Sequence, residues 1–141
     1  MKRIRNQKGN ALVETAITIP LILAVCVAIF EFGRAYQTWQ VITNAAREGA
    51  RIAILDGTTD AQVTSAVRNY MQSGQLPKYS SASVAIARTV PFGPNTASQV
   101  TVTYPFDFTV LNPVMKLLNA GSTAGKGATM MVSTALMRNE S

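Results

Sequence analysis

The feature that most constrains this chain is an apolar run near its N-terminus. Residues 11–30 read ALVETAITIPLILAVCVAIF, twenty residues with a single charged side chain, that of Glu14. As a helix, this run is about 30 Å long, the thickness of the hydrocarbon core of a bilayer. We therefore predict a transmembrane helix over residues 10–32. Pro20 removes one helical hydrogen bond, which neighbouring helices make tolerable in a membrane.

The charges around this run predict its orientation. Lys2, Arg3, Arg5 and Lys8 precede it and account for four of the six net positive charges. Cytoplasmic flanks of membrane helices are enriched in Lys and Arg, so we expect a cytoplasmic N-terminus and an exported chain after residue 34. The other cations are scattered and form no basic stripe with stacking aromatics, so no nucleic-acid partner is expected.

A lone carboxylate in hydrocarbon is costly, and Glu14 therefore has to be explained. A simple signal anchor and a cleaved secretory signal are two interpretations of the segment. The second includes a lipoprotein signal ending at Cys26, although Val25 is bulky for the position before a lipidated cysteine. Glu14 also lies close enough to the start of the run for its carboxylate to reach interfacial water.

A third interpretation rests on the order of residues: basic residues, Gly9, then an apolar helix with Glu14 five positions after the glycine. This order resembles the leader of type IV prepilins and pseudopilins. The resemblance implies that a prepilin peptidase cuts between Gly9 and Asn10 on the cytoplasmic side. The new α-amine of Asn10 in a neighbouring subunit would then pair with the buried carboxylate of Glu14.

The helical pattern continues beyond the membrane run, and we predict an exported continuation over residues 33–56. Within it, residues 44–51 read NAAREGAR, and Ala45, Gly49 and Ala53 recur every four residues. Such a face has little side-chain volume, so another backbone can approach it closely. The face either packs on the chain's own domain or forms a ridge between subunits. On the same helix, Glu48 and Arg51 are spaced to form an i,i+3 ion pair.

Together, GNALVETAITIPLILAV, FEFGRAY and NAAREGARIA, within residues 9–53, closely resemble the TadE-like proteins of tight-adherence (Flp-type) pilus systems. The resemblance implies a pseudopilin or minor pilin with a type IV pilin-like fold. It also implies partners: a prepilin peptidase, other pilins or pseudopilins, the pilus assembly machinery and the bacterial inner membrane. The matching residues are Gly9 and Asn10 for leader cleavage, Glu14 for assembly, and Arg47, Glu48, Gly49 and Arg51 with no assigned role.

Residues 1–9 form the predicted leader, and residues 57–141 the predicted head. We expect a second helix over about 60–72, capped by Thr59 or Asp60, with inward side chains Val63, Val67, Tyr70 and Met71. Strands are predicted at 83–88, 98–106 and 125–138, with a turn at 91–95 and a short helix from Pro113 to Gly121. The predicted fold class is α+β, in which a long transmembrane helix carries a second helix and a three- to four-stranded antiparallel sheet.

The composition argues against catalysis. The chain has no histidine, one cysteine and no closely spaced pair of carboxylates, so the usual general bases and metal ligands are missing. A phosphate-binding loop requires a Ser or Thr directly after its Lys, and the glycine-rich stretch at 121–129 has neither after Lys126. We expect no enzyme activity and no cofactor. The alternative function is an uncleaved, single-pass, membrane-tethered binding or accessory module of the bacterial envelope.

Overall fold

The structure, a computed structural model, describes residues 7–110, 112–113 and 128–139. Helix α1 (Gln7–Ala53) is followed by α2 (Asp60–Ser73), a 3-10 turn (Tyr79–Ser81) and strands β1 (Ser83–Phe92), β2 (Asn95–Phe106) and β3 (Thr129–Arg138). The α+β prediction is confirmed, with three strands in the described sheet. Most of the short helix predicted after Pro113 lies outside the described residues, as does most of the predicted leader.

Helix α1 runs without interruption for 47 residues, about 70 Å, and includes Pro20. It is the one described helix that is long and apolar enough to cross a membrane. The hydroxyls of Thr15 and Thr18 donate to the carbonyls of Ala11 and Glu14, 2.8 and 2.7 Å away. Both hydroxyls therefore have their hydrogen bonds within the helix, so placing them in an apolar surrounding costs little free energy.

The sheet is an antiparallel meander in the order β1-β2-β3. In the central strand β2, Val100, Val102 and Tyr104 are buried and the intervening Thr101 and Thr103 point the other way, as predicted. The predicted turn at 91–95 is wider than the observed one, because β1 continues to Phe92 and β2 begins at Asn95. Gly93 opens this two-residue loop with a φ of 61°, a conformation that glycine adopts without strain.

Helix α2 begins with a capping box. The Thr59 hydroxyl accepts from the Gln62 amide, and the Gln62 side chain accepts from the Thr59 amide. Val63, Val67 and Met71 are buried as predicted, but the inward placement of Tyr70 is wrong, since that residue is 40 % exposed. Tyr70 lies about 100° around the helix from Met71, at the edge of the buried stripe, so its phenol can remain in water.

The core of the head lies between the two helices and the inner face of the sheet. Its fully buried larger aliphatic side chains come from α1, α2 and β2: Ile42, Val63, Val67, Met71, Val100 and Val102. Burying each such side chain stabilises the fold by about 1.5–3 kcal/mol. The C-terminal part of α1 is therefore one wall of the head.

Candidate functional site

The predicted processing and assembly residues lie together at the start of α1. Asn10 and Glu14 are both exposed. They are four positions apart, which places the Glu14 backbone about 6 Å along the axis from that of Asn10. The described ion pairs do not include Glu14. Its carboxylate is thus presented on the apolar surface of the helix, where a neighbouring chain can reach it.

The small-residue face of α1 packs within the chain. Ala45, Ala46 and Ala50 are fully buried. A Cβ at Gly49 would lie 2.5 Å from Val67 Cγ2 and within 3.1 Å of a β2 side chain, so α2 and the sheet occupy all the space beside it. Of the two interpretations of this face, packing on the chain's own domain is confirmed. The ridge between subunits is wrong for this face, because no surface is left for a second chain to approach.

The charged residues of the same motif face solvent. Arg51 donates to both carboxylate oxygens of Glu48, from Nε at 2.9 Å and from Nη2 at 2.6 Å, which confirms the predicted pair. This hydrogen bonding lowers the pKa of Glu48, against the opposing effect of partial burial, and raises the pKa of Arg51. Arg47 is exposed on the neighbouring turn. The motif is therefore divided: Gly49 serves packing, whereas Arg47, Glu48 and Arg51 form a charged outer surface.

A second acid, Glu31, for which the sequence suggested no role, joins α1 to the head. The Glu31 side chain is 0 % exposed and accepts hydrogen bonds from the backbone amides of Thr109 and Val110 at 3.0–3.1 Å. Arg34, one turn along the helix, lies 3.4 Å from the same carboxylate. We call this arrangement of Glu31, Arg34, Thr109 and Val110 the Glu31 clasp. The sequence signal was an acid and a base three residues apart at the end of an apolar helix.

Arg34 strengthens the clasp through two further contacts. Its Nη1 donates to the Thr109 hydroxyl at 2.6 Å, and its guanidinium lies 5.5 Å from the centre of the Phe106 ring. A cation over an aromatic face contributes about 0.5–1 kcal/mol at a partly exposed site. The chain that leaves β2 is therefore held to the end of the apolar segment by charge, hydrogen bonds and ring contact.

Aromatic rings surround the clasp. Phe108 packs edge-on against Phe32 and Phe106, with ring centres 6.3 and 5.1 Å away. Lys78 pairs with Asp107 beside them, and the Lys78 amide donates to the Tyr104 hydroxyl at 3.2 Å. Phe32 itself remains 62 % exposed. This end of the head therefore combines an exposed aromatic ring with charged side chains.

The opposite end of the head carries a second polar cluster. Arg88 donates to Asp60 Oδ1 at 2.8 Å and to the Ala53 carbonyl at 3.0 Å, which ties β1 to the end of α1 and the start of α2. Asn139 Nδ2 donates to the Arg88 carbonyl at 3.0 Å, and Ser98 Oγ donates to Asn139 Oδ1 at 2.8 Å. These bonds close the end of the sheet. Over the described residues, the His, Cys, Asp and Glu side chains form no group of three that could hold a metal ion.

A long apolar helix that continues into a small head, with a second helix and a three-stranded antiparallel sheet, defines a pilin-like architecture. Residues 9–51 match the family model described as TadE-like protein. The resemblance to TadE-like proteins is therefore confirmed over these residues, which relates the chain to tight-adherence pilus proteins. The matched segment contains Glu31 and Arg34, whereas the residues that they hold in the clasp lie outside it.

Comparison with curated proteins gave no match, and comparison with solved structures gave none either.

Proposed function

We propose that the chain is a pseudopilin or minor pilin of a tight-adherence pilus assembly system. The observation that carries the proposal is the match over residues 9–51, which includes the Gly9, Asn10 and Glu14 register on an uninterrupted apolar helix. In this proposal a prepilin peptidase cuts between Gly9 and Asn10. The mature subunit then contributes to pilus biogenesis and surface adherence, together with other pilins and the assembly machinery.

Cleavage after Gly9 would supply a positive charge that can pair with Glu14. A carboxylate at the centre of a membrane helix costs about 2.5–3.5 kcal/mol, and somewhat less one turn from its end. Coulomb attraction to an ammonium 4 Å away contributes about 4 kcal/mol at an effective dielectric constant of 20. The two magnitudes are comparable, so Glu14 is unfavourable in an isolated subunit and close to neutral beside the amine of Asn10 in a neighbour. Assembly is favoured by that difference.

The proposed location follows from the charges. The basic residues before Gly9 hold the N-terminus in the cytoplasm, the apolar part of α1 crosses the inner membrane once, and the head lies in the periplasm. Incorporation into an extracellular pilus would follow extraction of the helix. We propose no catalytic role for the head.

One observation favours the alternative of an uncleaved tether. Gln7 to Asn10 are all helical, so the bond between Gly9 and Asn10 lies inside α1. A peptidase would have to unwind this end before cutting it, although helix ends fray readily. In this alternative the head is a membrane-tethered binding or accessory module that never polymerises.

Intact mass and N-terminal sequencing separate the two functions. The chain is expressed with and without its prepilin peptidase, and the proposal expects a mature protein that starts at Asn10 only when the peptidase is present. A chain that keeps Met1 or Lys2 in both cases contradicts the proposal and supports the tether.

Incorporation of Glu14→Gln into pili is the second test. The proposal expects a large loss, because the amide removes the attraction for the neighbouring amine and leaves the helix apolar. Asp56→Asn is the matched control, since it also removes one carboxylate but lies in the exposed loop between α1 and α2. Equal incorporation of the two variants contradicts the assembly role of Glu14.

A further inference from the structure

The Glu31 clasp lies where the apolar segment ends. Residues 11–30 fill about 30 Å of hydrocarbon, so Glu31 is the first residue at its outer edge. Val110, whose amide donates to Glu31 at 3.1 Å, must be at the same depth. The loop after β2 therefore reaches down to the boundary between lipid chains and headgroups.

The clasp lies nearer to the apolar segment than the end of α2 does. Helix α2 ends at Ser73 and is followed by Gly74, where a Cβ would lie 2.5 Å from the side chain of Val41. Val41 is ten positions after Glu31, about 15 Å along the helix. The loop at 107–110 thus extends below the end of α2 and follows α1 toward the membrane.

The side chains at this level have the chemistry of a membrane interface. Phe32, Tyr36 and Trp39 are exposed on α1, and amphipathic aromatic rings are enriched at the level of lipid headgroups. Arg34 and Lys78 are partly exposed cations beside the loop, placed to meet phosphate groups. Phe32 is nearest to the apolar segment, and Arg34, Tyr36 and Trp39 follow it along α1 within about 12 Å of Glu31, so rings and a cation share this interfacial stretch.

We propose that the Glu31 clasp seats the loop at 107–110 on the outer surface of the phospholipid bilayer, with Val110 at the edge of the acyl chains. Glu31 acts as the positioning residue, because it holds both loop amides that water would otherwise solvate. The head then stands on the membrane at a fixed height. This inference rests on α1 crossing a bilayer and is independent of the proposed role in a pilus.

Tryptophan quenching tests the depth of the loop. Trp39 is the single tryptophan of the chain, so Trp39→Phe gives a silent background. In that background Val110→Trp places the probe in the loop. Leu136→Trp is the matched control, because the two positions are 37 % and 41 % exposed and Leu136 lies near the far end of β3. The full chains are reconstituted in phosphatidylethanolamine and phosphatidylglycerol vesicles that carry bromines on the acyl chains near the carbonyl.

We expect a quenching slope several-fold larger for Val110→Trp than for Leu136→Trp. Equal slopes would overturn membrane seating, whatever the role of the chain in a pilus. Phe108→Trp, which exchanges one aromatic ring for another, gives the same comparison if Val110→Trp does not fold.

A second arm tests the positioning role of Glu31. Adding Glu31→Ala to the Val110→Trp chain should release the loop and bring its quenching toward that of the Leu136→Trp control. A general loss of structure would show in the far-ultraviolet circular dichroism, whereas release of the loop leaves that signal unchanged. Unchanged quenching in a folded Glu31→Ala variant would overturn the assignment of Glu31 as the positioning residue.

Discussion

The two halves of α1 belong to one helix but are surrounded in opposite ways. Residues 11–26 are exposed along their whole length, whereas four alanines between residues 45 and 53 are almost completely buried in the head. The first half carries large branched side chains all round, and the second half carries alanine and glycine on the face that meets α2 and the sheet. Side-chain volume, rather than any break in the backbone, decides where the head can pack and where the helix is left for lipid or a neighbouring subunit.

The largest expected effect is at the junction of the two halves. Glu31→Ala would leave the amides of Thr109 and Val110 without their acceptor and Arg34 without its ion-pair partner. We expect the head to lose about 3 kcal/mol in free energy of unfolding, the lower end for breaking a buried pair, because Arg34 is partly exposed. Urea unfolding in detergent, followed by near-ultraviolet circular dichroism, measures the loss.

Glu31→Gln is the control for this junction, since it keeps an acceptor oxygen but removes the charge. It should cost less than Glu31→Ala. A Glu31→Ala chain within about 0.5 kcal/mol of the parent would contradict the clasp, since that is the range of ordinary surface substitutions.

Two glycines on α1 sharpen the comparison between its halves. At Gly49 a Cβ would lie 2.5 Å from Val67 Cγ2, and the β-branched Val67 has little rotamer freedom in a helix. We expect Gly49→Ala to destabilise the head by about 2 kcal/mol.

At Gly33 a Cβ meets nothing within 4 Å among the described atoms. Gly33→Ala should therefore be neutral or stabilise the helix by up to about 1 kcal/mol, through helix propensity alone. The same urea experiment compares the two variants. If both substitutions change the free energy of unfolding in the same direction, the packed and open surfaces of α1 are not where we place them.

The capping box of α2 gives a smaller effect. Thr59→Ala removes the acceptor for the Gln62 amide and should cost about 1 kcal/mol. Thr64→Ala is a suitable control, because Thr64 is on the same helix outside the cap. Hydrogen exchange of the first-turn amides would show the difference, and equal exchange in both variants would contradict the capping role.

The smallest expected effect is on the charged outer surface. Glu48→Gln should cost about 0.3 kcal/mol near neutral pH, as for other surface pairs at this spacing. The pKa of Glu48 is lowered in the folded chain from an ordinary value of 4.5, so the pair's contribution is complete above that pH and disappears as the pH falls through the folded pKa. Unfolding of parent and variant at neutral and acidic pH should converge in acid; a gap that persists there would contradict the pairing.

Local patterns were sufficient to predict much of this fold. The long helix, the capped α2 and the alternation in β2 all follow from side-chain spacing over a few residues. The predicted turn at 91–95 is too wide, because Pro91 pairs with Thr96 inside the sheet. In fact β1 is an edge strand, where a residue without an amide proton is tolerated.

The Glu31 clasp could not be predicted in the same way. Its hydrogen bonds join residues 78 and 79 positions apart, and no local pattern connects an acid at the end of α1 with two backbone amides after β2. The elements that pack against Gly49 could not be predicted from local patterns either. A small-residue face indicates close approach, but the identity of what approaches depends on how α2 and the sheet fold back.

The continuity of α1 has a mechanical consequence. Between Glu14 and the core residue Ile42 there is no loop that could absorb a displacement. Displacing the head along the axis by one helical turn, about 5.4 Å, would carry Glu14 along the same axis by nearly the same distance, apart from any bending at Pro20. A force applied to the head is thus delivered directly to the carboxylate at the far end of the rod.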